Sequence, residues 1–420
     1  MSIKIGILGL GTVGGGVVKI LKSRTEAFKN LLGDQIEIVK VMSRRSVRLN
    51  ELDLSESIYT DNLETFLETE MDIVVEAIGG DYPADLIEKC LQRGIKVVTA
   101  NKALLANEPE RFIGNENSDL LFYEASCCGG IPIVSSFEEG LTANPINKLL
   151  GIFNGTCNYI LTRMQEEGCE FSGVLKQAQE LGYAEADPTF DVEGIDATHK
   201  LSLLGSLAFE SLIPFSKLKS EGISKLKPSD FDWAISQGYV IKLISMAEKV
   251  EDSFFTGTFP CLIPKAHPLS SVNGANNAVF LNGEFVGDLM FYGAGAGELP
   301  TASAVVSDIV AAAQDRKRLW SKRVFSNKTA FKSARDKGFS FYIRLSTKDE
   351  VGVLAKLCDH FGQSGVSLNF VHQNEPHEQL AELIFVTHPT NIEKVEEALS
   401  KMKEGNLLEG EPYLIRILEI

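Results

Sequence analysis

The chain begins with a short β-branched apolar run, "IKIGIL" (3–8), which stops at Gly9 and passes through "GLGTVG" (9–14) into a helical pattern. No other feature constrains the fold as tightly. It sets Gly9-x-Gly11-x-x-Gly14 between a strand and a helix, the context that the dinucleotide-binding fingerprint requires. Gly9 permits the tight turn, Gly11 lets the backbone approach a pyrophosphate, and Gly14 allows close helix–strand packing. The helix start adds N–H groups and a positive dipole end for phosphate. Gly9, Leu10, Gly11, Thr12, Val13 and Gly14 are therefore the expected cofactor cradle, a plain glycine-rich turn being the bland alternative.

The rest of the first third fits that start. The helical pattern runs from about 13 to 29, and apolar runs "IEIVKVM" (36–42), "DIVVEAI" (72–78), "KVVTA" (96–100) and "LLFYEAS" (120–126) follow, separated by helical segments such as "YPADLIEKCLQRG". Strands apolar on both faces and alternating with helices indicate a parallel sheet covered on both sides. The second strand ends in "VMSRRS" with no carboxylate for ribose hydroxyls. Arg44 and Arg45 there favour NADP over NAD, because guanidinium suits a 2′-phosphate, unless they merely face solvent. "TANKALLA" (99–106) sets Lys102 just beyond a strand's carboxyl end, on the ligand-binding edge of such a sheet.

From 134 to 300 the texture becomes α+β. Helical stretches are expected at 157–167, 172–181, 196–209 and 233–249, with strands at "LLGIFNG", "FFTGTFPCLIP" and "NAVFLNG". A helix at about 301–320 returns to the first domain. Residues 315–338 hold nine basic and two acidic side chains. With a whole-chain net charge of −16, they read as a solvated basic linker and not as a nucleic-acid surface. The last 80 or so residues spell β-α-β-β-α-β, the ferredoxin-like order.

The 420 residues thus divide into a Rossmann-like α/β domain (1–133, completed by the returning helix), an α+β domain (134–300), a linker (321–338) and a ferredoxin-like domain (339–420). Seven cysteines without a C-x-x-C pair suggest reduced thiols in a cytoplasm, and Cys127–Cys128 read as small packing residues. The glycine-punctuated N-terminus is unlike a signal peptide, and no apolar run is long enough for a membrane span.

Six motifs in series, "GLGTVGGGVV", "ANKALLA", "YEASCCGGIPI", "GIFNGTCNYIL", "LGYAEADPTFDVEGIDATHK" and "GAGAGELPTASAVVSDI", make residues 3–320 resemble homoserine dehydrogenases. "DEVGVLAKL" (349–357) makes the tail resemble an ACT domain, a small amino-acid-sensing module. The resemblance implies interconversion of L-homoserine and L-aspartate 4-semialdehyde with NADP or NAD, in threonine, methionine and isoleucine biosynthesis. It also implies a homodimer or higher oligomer, with 134–300 as its catalytic and dimerisation domain, and an amino-acid effector, threonine, at the ACT domain. Residue by residue, it assigns Lys102, Gly182 and the "GAGAG" glycines, among them Gly297, to the cofactor. Glu185 and Asp196 would bind homoserine, and Lys200 would be the catalytic acid/base, with Lys102 beside it. Glu124, Cys127, Gly129 and Ile131 match a monovalent-cation site, sodium being the usual ion. The family usually has valine or alanine at Cys127–Cys128, which carbonyl ligation tolerates, and threonine at Cys157, near substrate.

These roles agree with the chemistry of the side chains. A zwitterionic amino acid needs an anion for its ammonium, which Glu185 supplies. Asp196 and Lys200 stand four apart in a helical stretch and share a face. Reduction of an aldehyde needs a proton at its oxygen, and Lys200 is the expected donor. Asp191 reads as support for the substrate pocket, but with Asp187 and Glu193 it stays open between that and plain surface, and Asp187-Pro188 also reads as a turn. The rival readings are an amino-acid sensor without catalysis and a nicotinamide enzyme for another semialdehyde.

Overall fold

The computed structural model describes residues 2–43, 48–80, 83–113, 116–250, 253–318, 324, 330–333, 337–374 and 380–419. The chain forms two compact units: 1–155, 198–218 and 276–329 make the first, and 156–197, 219–275 and 330–420 the second.

The first unit is built on six parallel strands, β1 (Ser2–Leu8), β2 (Gln35–Met42), β3 (Tyr59–Thr60), β4 (Ile73–Glu76), β5 (Lys96–Thr99) and β6 (Leu121–Phe122). Their order is β3-β2-β1-β4-β5-β6. The direction of winding reverses between β1 and β4, and in open α/β sheets ligands bind at that crevice. Ile5, Ile7, Ile73, Val74, Val75, Val97 and Val98 are fully buried, which explains strands without polar alternation. The helix Glu298–Ala313 lies against the helix Thr12–Ser23; a Cβ at Gly16 would stand 2.8 Å from the Glu298 carbonyl oxygen and 2.9 Å from the Ala302 Cβ. Three antiparallel strands, Ile146–Ile152, Asn276–Gly283 and Gly287–Ala294, complete this unit.

The single helix expected at 13–29 is two, Thr12–Ser23 and Thr25–Leu32, broken at Arg24, whose φ of −121° leaves the helical region. The Ser23 and Thr25 hydroxyls donate to the carbonyls of Ile20, Leu21 and Lys22, offering the chain a local alternative to continued helix.

The second unit holds the helices Phe171–Glu180 and Pro228–Ser236, most of Gly155–Glu167, and a long hairpin, Tyr239–Val250 with Ser253–Pro264. The hairpin corrects the expected helix at 233–249. Residues 240–247 are all buried, so this strand has no exposed face to impose a period of two, and its apolar run mimics a helix. The C-terminal strands Ser340–Lys348, Leu368–Gln373, Leu380–Thr387 and Tyr413–Ile417, with the helices Val353–Gln363 and Ile392–Glu404, follow the ferredoxin-like order. In this sheet the fourth strand pairs with the first, the first with the third, and the third with the second, all antiparallel. The strand Tyr413–Ile417 also runs parallel to Ser253–Pro264.

Two ion pairs, the first of them fully buried, tie this sheet to its surroundings in the unit. Arg344 donates to Asp230 at 2.7 Å, their side chains 5% and 0% exposed, and the Tyr342 hydroxyl donates to the same carboxylate at 2.8 Å. Arg416 grips Glu221 through two nitrogens at 2.6 and 2.8 Å and lies over the Phe259 ring.

The basic stretch from 315 is not simply solvated. Arg318 is buried and bonded to Glu138 and Asp308, while Arg316 and Lys317 pair with Glu139 and Asp119. Most of the expected linker at 321–338 lies outside the described residues, but Ala330–Ser333 pairs with the strand Ser253–Pro264. Among the described residues no helix is long and apolar enough to cross a membrane.

Candidate active site

The fingerprint loop occupies the sheet's reversal point. Gly9 has φ +92°, and a Cβ there would meet the Ala77 carbonyl oxygen at 2.9 Å. A Cβ at Gly14 would fall 1.9 Å from the Gly9 carbonyl oxygen, so helix and turn touch only because both residues lack side chains. A Cβ at Gly11 has nothing within 4 Å, which leaves the open approach that a pyrophosphate needs. Leu10 points into the core, so only its backbone faces that opening; Thr12 is exposed and Val13 partly so. The loop is held from below by Arg48, which donates to the carbonyls of Leu10 at 3.0 Å and Gly11 at 2.6 Å. Arg44 and Arg45, the basis for favouring NADP, lie outside the described residues.

Lys102 begins the short helix Lys102–Asn107 directly after β5, on a rigid support. The Asn101 side chain accepts from the Leu104 N–H and donates to the Gly80 carbonyl. Buried Glu76, at the end of β4, accepts from Thr99 Oγ1 and from the N–H groups of Ile78 and Gly79.

Lys200 projects from the helix Ile195–Ala208, is 7% exposed, and donates from Nζ to the Phe153 carbonyl at 2.6 Å. Asn277 Nδ2 donates to the same oxygen at 3.0 Å. The adjoining turn brings Gly129 against the "GAGAG" loop: φ at Cys128 and Gly129 is +56° and +47°, and a Cβ at 129 would meet the Gly295 carbonyl oxygen at 2.6 Å. Gly297 has φ +125° and starts the helix Glu298–Ala313.

The expected cation ligands Glu124, Cys127, Gly129 and Ile131 lie along this turn. Both Glu124 carboxylate oxygens accept backbone N–H groups, from Val134 at 2.8 Å and Ser135 at 2.7 Å. Burial drives the Cys127 thiol far above its usual range, so it stays protonated. Neither side chain is a ready anionic ligand, and among the described residues no cluster of three or more His, Cys, Asp or Glu side chains could hold a metal. An ion held here would have to rely on backbone carbonyl oxygens. Behind the turn, Asp308 accepts from the Glu124 N–H and from Arg318, and burial pushes its carboxyl up to about 7 against the pull of Arg318.

The remaining candidates belong to the second unit. Asp196 is 4% exposed on the helix Ile195–Ala208, one turn before Lys200. Cys157 donates its thiol to the Asp191 carbonyl at 3.1 Å, and Thr156 donates to the Tyr183 carbonyl at 2.6 Å. These two bonds tie the start of the helix Gly155–Glu167 to the acidic segment, so the cysteine fills the donor role open to a threonine there. Gly182, with φ +77°, ends the helix Phe171–Glu180. Glu185 is exposed, its carbonyl fixed by Gln179 Nε2 at 3.0 Å. Asp187 accepts from the Thr189 N–H at 3.1 Å, a turn contact, and Glu193 accepts from Ser224 at 2.7 Å.

Residues 132–310 match the family described as Homoserine dehydrogenase, and residues 9–113 match Homoserine dehydrogenase, NAD binding domain. The homoserine dehydrogenase of Pseudomonas aeruginosa is 38% identical over 100% of this chain and 99% of its own. The chain belongs to the homoserine dehydrogenase family. The Bacillus subtilis homoserine dehydrogenase is 37% identical over 96% of this chain and 95% of its own. The crystal structure of a homoserine dehydrogenase from Thiobacillus denitrificans superposes with a TM-score of 0.91 at 37% identity, covering 100% of this chain and 99% of that one. Residues 341–404 match the ACT domain. The chain is thus an oxidoreductase with a nicotinamide-nucleotide domain and a C-terminal ACT domain. Arg48, Glu76 and Asn277 were not among the residues expected from the sequence. Asn277 sits in "NGANNAVF", where nothing local sets it apart from its neighbour Asn276.

Proposed function

We propose that this chain interconverts L-homoserine and L-aspartate 4-semialdehyde, with NADP favoured over NAD and Lys200 as the proton carrier. One observation carries the reading: a lysine ammonium buried on a helix, with its Nζ aimed at a backbone carbonyl and a carboxylate one turn away. When bound, the nicotinamide supplies or takes the hydride at the carbon of the substrate's terminal carbonyl or alcohol. Lys200 gives a proton to that oxygen in reduction and removes it in oxidation. The Phe153 carbonyl keeps Nζ in place throughout. Glu185 takes the substrate ammonium, Asp196 orients the hydroxyl or Lys200, and Asp191 supports them. Gly9 to Gly14, Lys102, Gly182 and Gly297 serve the cofactor, and Arg44 its 2′-phosphate.

The chain divides as 1–133 with the returning helix, 134–300, a linker at 321–338, and a regulatory ACT domain at 339–420, with threonine as effector. Carbonyls near Glu124, Cys127, Gly129 and Ile131 hold sodium. Exposed Phe285, Val286, Met290 and Tyr292 along one hairpin support a homodimer. The cytoplasm is the compartment that suits its free thiols.

The test follows nucleotide absorbance with homoserine and NADP or NAD, on wild type and Lys200→Ala. Wild type reduces NADP; the variant binds it and keeps only a small residual turnover. Failure of wild type with both nucleotides would sink the reading. Calorimetric titration of wild type with threonine tests the effector separately.

A further inference from the structure

Lys200 is not the only side chain on the Phe153 carbonyl. Asn277 Nδ2 shares that oxygen at 3.0 Å, beside Lys200 Nζ at 2.6 Å. The amide can take only this orientation, because a flipped one would press Oδ1 against the carbonyl oxygen. Asn277 is fully buried, and its Oδ1 has no hydrogen-bond partner among the described residues. A buried acceptor left unpaired costs about 1–3 kcal/mol, which an apolar side chain of the same shape avoids. Packing alone therefore does not explain an asparagine here. Its third neighbour is the "GAGAG" loop: a Cβ at Gly295 would fall 2.0 Å from the Asn277 Cγ and 2.1 Å from its Nδ2. The amide is clamped between that loop's backbone and the carbonyl that holds Lys200.

We propose that Asn277 is a positioning residue for proton transfer by Lys200. It acts through the Phe153 carbonyl, the oxygen that both side chains share. A carbonyl held only by a flexible ammonium swings with it. Bonded a second time from a side chain that cannot move, the oxygen becomes a fixed point, and Nζ keeps one position as it loses and regains its proton. The short loop glycine at 295 is part of the device, since any side chain there displaces the amide.

The inference rests on Lys200 being the proton carrier, and the experiment separates the two. Asn277→Leu, close in volume and free of the unpaired oxygen, and Asn277→Asp, which keeps the shape but sets a carboxylate oxygen against the carbonyl, are compared with wild type, Lys200→Ala and the double variant Lys200→Ala/Asn277→Leu. Readouts are thermal midpoint, KM for homoserine and NADP, kcat, and the solvent deuterium isotope effect on kcat. For both single Asn277 variants, KM stays within about twofold, kcat falls at least tenfold, and the isotope effect rises because proton transfer now limits turnover. Asn277→Leu melts no lower than wild type. In the Lys200→Ala background, Asn277→Leu causes no further loss, as expected of residues acting as one unit. A purely structural role would lower the melting point and leave the isotope effect unchanged, and that result overturns the proposal. So does an equal loss with and without Lys200. If Lys200→Ala turns over at the wild-type rate, the reading of Lys200 fails first and takes this one with it.

Discussion

Gly11 and Gly14 belong to one motif, yet replacing each with alanine should break different things. At Gly14 the added Cβ falls 1.9 Å from the Gly9 carbonyl oxygen, far inside the 3.4 Å where ordinary contact begins. Both partners are backbone, so the helix Thr12–Ser23 must back away from the turn. Overpacking of this kind costs about 1–3 kcal/mol, offset by at most about 1 kcal/mol from better helix propensity. A net loss of about 1–2 kcal/mol lowers the melting point by several degrees. At Gly11 the Cβ meets nothing within 4 Å, and the φ of −66° is open to any residue. Alanine there should leave stability unchanged or raise it by about 0.4–1 kcal/mol, by restricting the unfolded chain. Its methyl group, however, stands in the approach to the loop backbone. Loss of one charge-assisted hydrogen bond to phosphate is about 1.5–3 kcal/mol, or roughly 10- to 100-fold in affinity. Thermal melts and a fluorescence titration with NADPH separate the two. Gly11→Ala that binds like wild type, or Gly14→Ala that melts like wild type, would refute the assignment of cradle and contact.

Arg318→Met leaves buried Asp308 and Glu138 without their cation and should destabilise the protein by about 3–5 kcal/mol, measured by denaturant unfolding; a loss under about 1 kcal/mol would show that the pair is not buried as described. Lys242, caged by Asn158, Val272 and Asn273, is pushed down by burial to about 8 from 10.5, with Glu166 opposing. The folded state therefore sheds this proton first: the stabilisation is present above about 10.5 and is lost as pH falls through about 8. Wild type should thus gain up to about 3 kcal/mol from this group across that window, and Lys242→Met should flatten the gain. Denaturant melts at several pH values check it, and an unchanged slope in the variant would count against it.

Much of this was legible before any coordinates. The parallel sheet was readable because strands covered on both faces are continuous apolar runs, and the fingerprint because its glycines are demanded by backbone contacts, above all at Gly14. The same continuity misled at 239–250, where a strand buried along its length carries no alternation to distinguish it from a helix. Arg318 hid among other cations, since charge counting cannot tell which one finds carboxylates in the interior. Asn277 was invisible for a different reason. Its importance comes from one oxygen atom of Phe153, 124 positions away, and backbone carbonyls leave no mark in a sequence.

The Asp230 carboxylate, wholly enclosed, is answered by Arg344 and Tyr342 from the first strand of the ACT region. A natural way to ask whether that region senses threonine is to cut it off. The cut would strand a buried anion on the helix Pro228–Ser236 and strip the strand Ser253–Pro264 of its parallel neighbour. Whatever such a stump lost in turnover would describe the wound, and not the missing sensor. The tail is masonry whether or not it is also an antenna, and any signalling through it is best questioned one exposed residue at a time.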